Sequence, residues 1–231
     1  MNGNQYVDIF ATKGIEYLFV MGFLLTLIVF WRFLNRPSVR AGSGVNAIPP
    51  EALPWFRIVD GVYFHQGHSW AAPAENDLIR VGIDDFAQKL IGPIDALEAP
   101  PEGATVEQGD IGWRLRAGSK SIPLLSPVNG KVLAVNEDVM NSPHLINQDP
   151  YGKGWLLLIE SSKKKSTLSN LLSGRLATFW MEETIDALRR RIEGSLGPLL
   201  QDGGVPISGF ARTLSPESWE EIASEFFRTG T

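Results

Sequence analysis

Few side chains in this sequence have the type and spacing that do chemistry. His65 and His68 offer two imidazoles three residues apart. A metal site needs three or four donors, and no third ligand is in view. Placed along one strand, residues three apart face opposite sides of the sheet. The pair therefore predicts no metal centre. Asp84-Asp85 and Glu98 are the nearest approach to paired carboxylates for acid–base work. Asp84 stands just before an apolar run, where its carboxylate is better explained as a helix cap. Asp202-Gly203-Gly204 lacks the strand-to-helix pattern of a phosphate loop and reads as a turn. No Ser–His–Asp cue and no HExxH pattern is present. The expectation is no catalytic residue and no enzyme activity.

Composition narrows the classes further. The 231 residues contain no cysteine, which excludes disulfides, thiolate catalysis and Cys-ligated zinc or iron–sulfur clusters. A net charge of −5 spread along the chain argues against a nucleic-acid partner, whose footprint is a basic stripe. Hydrophobic residues make up 44% and charged residues 20%, enough apolar mass for a packed core.

The positioning elements begin with residues 15–34, IEYLFVMGFLLTLIVFWRFL. Tyr17 to Trp31 carries no charge, and the whole stretch has about the length that crosses a bilayer as one helix. Trp31 and Tyr17 fit an aromatic belt, and Arg32 can extend toward headgroups. Bulky Phe30-Trp31-Arg32-Phe33 does not resemble a signal-peptidase site. Arg32, Arg36 and Arg40 after the span, against Lys13 before it, place the N-terminus outside and the body in the cytoplasm. The expectation is a single-pass protein of the inner (cytoplasmic) membrane. Residues 35–54, rich in Gly, Ser and Pro, read as a linker.

From Trp55 to Ile159 short strands alternate with turns. Strands are expected at 62–64, 77–81, 113–116, 122–125, 131–135 and 155–159, with a short helix over 85–90 stopped by Gly92-Pro93. Ala117 to Ser121 reads as a hairpin tip, Asn129-Gly130 as a turn, and Ser142-Pro143 as a helix start. Lys163-Lys164-Lys165 is a basic run facing solvent or an acidic surface. Residues 167–191 read as helical with a break at Gly174, and Glu182-Glu183 with Arg189-Arg190-Arg191 suit its two ends. Residues 194–209 read as a loop, and Ser215-Pro216-Glu217 opens a last helix to about Arg228. Phe179, Trp180, Trp219, Phe226 and Phe227 need a surface to cover them, either the β domain or a partner subunit.

Four segments in order resemble the glycine cleavage H protein, the lipoyl-carrying relative of biotinyl domains. They are His68-Ser69-Trp70, then 81–92 (VGIDDFAQKLIG), then 126–132 (SPVNGKV), then 147–155 (NQDPYGKGW). The resemblance covers about residues 55–175 and implies a mainly β fold with α, a barrel-sandwich hybrid of two small sheets. It also gives His68 a place in a core strand motif. In that family a hairpin-tip lysine carries lipoate, seven residues before the Ser of Ser-Pro-Val. That position here is Ser119, and the family's acidic residue three positions earlier is Arg116. A hydroxyl cannot form the lipoyl amide, which needs an amine. Lys120 is the fallback modification site, one step away and expected to face the other side of the hairpin.

The domain expectation is an N-terminal tail (1–14), a transmembrane helix (15–34), a linker (35–54), an H-protein-like β domain (55–160) and a C-terminal helical extension (161–231). The functional expectation is a non-catalytic, membrane-anchored accessory or adapter subunit, docking on integral or peripheral protein subunits of a membrane complex, such as a respiratory or redox one, without a cofactor. The alternative is a membrane-tethered carrier with lipoate on Lys120.

Overall fold

A computed structural model describes residues 9–34, 55–192, 200–201 and 205–230. It divides into two compact units, Met1–Ala47 and Ile48–Thr231. The expected linker over 35–54 and the turn at Asp202-Gly203-Gly204 lie outside the described residues.

The first unit holds helix α1, Ile9–Leu34, whose 26 residues span about 39 Å at 1.5 Å per residue. Its described apolar side chains, from Tyr17 to Phe30, are exposed. Among the described residues, no helix is long and apolar enough to cross a membrane. The expected transmembrane helix over 15–34 is therefore not demonstrated.

The second unit is mainly β, with helices around two antiparallel sheets. The larger sheet orders its strands β1 (Tyr63–Phe64), β2 (Ser69–Pro73), β3 (Leu78–Ile83), β9 (Leu157–Glu160), β8 (Gly130–Val135) and β5 (Thr105–Val106). The smaller comprises β4 (Ala96–Glu98), β6 (Ile111–Ala117) and β7 (Lys120–Leu125). A two-stranded ribbon, β10 (Leu200–Gln201) with β11 (Val205–Pro206), interrupts the loop expected over 194–209. Inward residues of both of these sheets, among them Ile79, Val81, Leu115, Ile122, Val132 and Ile159, share one core.

Register follows from side-chain size. Trp70 pairs with Gly82, and a Cβ at Gly82 would stand 2.7 Å from the indole ring. That space lets the indole Nε1 donate to the carbonyls of Ile83 (2.8 Å) and Pro150 (3.1 Å). Gly130 answers the same need, since a Cβ there would fall on the Glu160 carbonyl oxygen across the β8–β9 pairing. The glycine of Asn129-Gly130 thus serves strand packing rather than a two-residue hairpin.

Helix α2, Asp85–Ile91, begins where expected: Asp84 accepts from the Ala87 amide at 2.8 Å. Helices α3 (Glu137–Asn141) and α4 (Leu145–Gln148) depart from expectation. Asn136 caps the first, and Ser142 ends it rather than opening a new helix at Pro143. Residues 164–192 form α5 (Lys164–Ser169) and α6 (Arg175–Ile192), separated at Gly174, whose φ is +54°. Because α6 starts at Arg175, Glu182 and Glu183 sit mid-helix and not at a positive N-terminal end, while Arg189-Arg190-Arg191 occupy the last turn as the macrodipole favours.

Two further helices complete the unit, α7 (Phe210–Leu214) and α8 (Trp219–Phe227). Both pack on the β domain: α7 against α2, α8 against β7. Phe210 and Phe226 lie 6.0 and 5.1 Å from the Phe86 ring, and Phe227 is fully buried. The barrel itself, then, covers most of the aromatic surface of the extension; Phe179 remains exposed.

Candidate functional site

The hairpin of β6 and β7 closes at the Ala117–Lys120 pair, leaving Gly118-Ser119 as a two-residue tip. Gly118 takes φ +65°, the left-handed conformation such tight turns demand, and its amide donates to the Asp95 carboxylate at 2.6 Å. Ser119 is exposed at the apex. Arg116 is exposed on β6, where Ser121 pairs with it; the Ser121 hydroxyl donates to Glu98 at 2.9 Å.

Lys120 lies within strand β7 and not in the tip. Its Nζ donates to Glu220 on α8, a hundred residues away in sequence. That hydrogen bond holds the Glu220 carboxyl below its usual range. The amine nearest the apex is therefore aimed at the C-terminal helix. Of the two, Ser119 lacks the amine that an amide-linked lipoyl group needs, while the partly exposed Lys120 carries one, paired with Glu220.

The histidines are arranged differently from a strand. Residues 65–68 form the turn between β1 and β2, with the His68 amide donating to the His65 carbonyl at 3.0 Å and His68 at φ +62°. The opposite-faces argument for 65 and 68 therefore fails, because it assumed extended backbone. His68 is buried, with Nδ1 2.8 Å from the Asp84 carboxylate. Its ring stacks on Phe86 (4.1 Å) and lies 4.7 Å from Trp180, tilted against it. Burial, then the neighbouring Arg228 and His68, lower the His65 pKa from its ordinary value. Among the described residues, no three His, Cys, Asp or Glu side chains converge as metal ligands.

Asp84 and Asp85 part company in space. Asp84 caps α2 and holds His68, whereas Asp85 accepts from the Arg57 amide, Gln88 and Lys89. Glu98, on the smaller sheet, bonds Ser121 and joins neither. The sequence reading missed the His68–Asp84 pair and the Lys120–Glu220 pair. Asp84 carried a sufficient local explanation as a cap, and no local signal links residues 120 and 220.

With this geometry in view, comparison with known proteins is specific. A family model described as "Glycine cleavage H-protein" matches residues 62–184. The glycine cleavage system H protein of Coprothermobacter proteolyticus is 38% identical over 117 residues, covering 51% of this chain and 91% of that protein. Its counterpart from Mycolicibacterium smegmatis is 37% identical over 115 residues, covering 50% and 86%. A crystal structure of a glycine cleavage system H protein from Mycobacterium marinum matches 55% of this chain and 98% of its own, at 26% identity and a TM-score of 0.48.

Proposed function

Because the chain belongs to the glycine cleavage H-protein family, a family of lipoyl carriers, we propose that it acts as an H-protein-type docking domain that presents its apical hairpin to protein partners without lipoate at Ser119. One observation carries this reading: an exposed hydroxyl occupies the apex while the adjacent Lys120 amine is paired with Glu220. The domain retains the family's β scaffold, and hence a surface for protein partners, without an arm at the apical position.

A second reading is a lipoyl carrier modified at Lys120. Family membership supports a carrier better than a bare adapter, and the apex residues pull the other way. Lys120 would supply the acceptor amine once freed from Glu220 and deprotonated; its side chain is 41% exposed, so the ion pair is open to solvent. The group, when bound, would supply a reactive dithiolane on a flexible tether.

Intact mass of the full chain, produced in a lipoylating host, separates the two. The docking reading expects the unmodified mass for the native sequence and one lipoyl amide for Ser119→Lys, which restores an amine at the apex. One lipoyl amide on the native chain, mapped by peptide sequencing to Lys120, would replace it with the carrier reading.

Membrane tethering is the further part of the proposal. The 26-residue backbone of α1 and the exposed apolar side chains from Tyr17 to Phe30 support it. Under this reading the β domain serves as an accessory subunit of a membrane complex, with its body on the cytoplasmic side.

A further inference from the structure

The matched family segment ends at residue 184, and helices α7 and α8 lie beyond it. Helix α8 packs against β7, the second strand of the apical hairpin. Side chains alternate along that strand, so Lys120, Ile122 and Leu124 share one side, and Ile122 and Leu124 are buried in the core. Lys120 therefore leaves β7 on its core side, where Glu220 of α8 meets it. Ser121 and its cross-strand neighbour Arg116 occupy the outer side. The added helix thus covers the inner side of the hairpin close to its apex.

Apolar contacts seat α8, but its polar groups are poorly served. Trp219, Ile222, Ala223 and Phe227 are buried. Among the described residues, five buried side-chain polar atoms lack a hydrogen-bond partner. Four of them lie in α7, α8 and the residues just after: Arg212 Nε and Nη2, Glu220 Oε2 and Thr229 Oγ1. No ion pair among the described residues includes Arg212, whose guanidinium lies 5.0 Å from the centre of the Trp219 ring. A guanidinium covered by an aromatic ring and denied an acceptor keeps its desolvation cost. The helix also ends at Arg228 with φ +56°, a left-handed conformation unfavourable for any residue with a side chain. The seated position combines strong apolar anchoring with unmet polar demand, and lifting α8 would return these atoms to water. Residues 215–218, Ser-Pro-Glu-Ser, join α7 to α8 and supply a short hinge. The start of α7 is pinned separately, by the Gly209 amide donating to the Lys89 carbonyl at 2.6 Å.

We propose that α8 is an autoinhibitory strap. Seated, it covers the inner side of β7 and holds the Lys120 amine; lifted about residues 215–218, it frees both for a protein partner. The proposal rests on the reading of the apical hairpin as the element presented to partners, and adds its regulation. The open state is a rare excursion from the folded chain and not an unfolding of the barrel.

The test is native-state hydrogen exchange of the full chain in detergent, read by mass spectrometry. Labelling of Lys120 by an amine-selective acylating reagent is measured alongside. Amides of α8 should exchange faster than those of β3, β8 and β9 by about tenfold or more, as expected of a local opening. Arg212→Met keeps an apolar stem against Trp219 and removes the unpaired cation. It should hold the strap shut, slowing both α8 exchange and Lys120 labelling about tenfold. Glu220→Gln removes the clamp and should speed both. The Lys120 amine bonds Glu220 and not Arg212, so an effect of Arg212→Met on labelling passes through the position of α8. Unchanged near-UV circular dichroism checks that the variants fold; should either fail to, the exchange profile of the native chain decides alone. Exchange of α8 no faster than that of β3, β8 and β9 overturns the proposal. So does an Arg212→Met chain whose Lys120 labels at the native rate. Either failure leaves the docking reading standing, because intact mass and not exchange tests that reading.

Discussion

At the scale of single residues, the telling positions are those whose partners are remote. His65 is the clearest pH probe. Its Nδ1 accepts from the Gly67 amide at 3.1 Å, a bond available only to the neutral ring. Its folded pKa is depressed below the ordinary 6.5. As pH falls past 6.5 the unfolded chain takes up the proton first, so the folded state loses stability until its own, lower pKa is passed. His65→Gln keeps an acceptor and removes the titration. Urea midpoints measured between pH 7 and 5 should therefore fall less steeply in the variant than in the native chain. Glu220 acts in the same direction at lower pH: its carboxyl is depressed by Lys120, so its contribution is present above the usual carboxylate range and lost as pH falls through the folded value. Glu220→Gln should also raise the reactivity of Lys120 toward an amine-selective acylating reagent, read by peptide mass mapping.

At the scale of elements, close approach and burial decide which substitutions matter. Trp70 cannot retreat from a new methyl at position 82, because its Nε1 is bonded to two carbonyls and the ring is buried. Gly82→Ala should cost about 1–3 kcal/mol by overpacking. A lower urea midpoint at unchanged slope is the expected signature. The C-terminal helices are a second case. Fully buried Phe227 on α8 lies 6.1 Å from His68, within the core shared by both sheets. Phe227→Ala should cost about 3–5 kcal/mol. If α8 is one cooperative piece with the barrel, denaturation should stay a single transition seen alike by fluorescence and circular dichroism. A separate early transition would mean that α8 docks independently.

At the scale of the whole molecule, the proposed tethering is tested through α1. With α1 as a membrane anchor, the chain should stay in the pellet when membranes are washed with alkaline carbonate, and should leave it when Leu18→Asp and Leu25→Asp are introduced together. A charge in the middle of a span is expensive, by about 2.5–3.5 kcal/mol on insertion scales. Release of the native chain by carbonate would reject the anchor. Gentle solubilisation followed by size-exclusion chromatography then tests the docking proposal, with stoichiometric protein partners expected to co-elute.

Local chemistry made much of the β domain legible before any coordinates. Asp84 preceding an apolar helical run specified the start of α2, and apolar runs between turns specified β1, β3, β6, β7, β8 and β9 but not β2, β4 or β5. The ordered segments around His68, Asp84, Ser126 and Tyr151 identified the H-protein-like fold, since each encodes a local packing need such as the cap or the Trp70–Gly82 pairing. Ser119 at the apex was likewise readable by counting from Ser126. What the sequence could not determine were features made by chain closure. The turn that brings His68 Nδ1 to Asp84, and the clamp from Lys120 to Glu220, join residues that no short-range pattern relates. Tertiary packing decided these, because burial of the aromatic extension against the barrel, and no local propensity, fixes where α6 and α8 end and therefore which charges face one another.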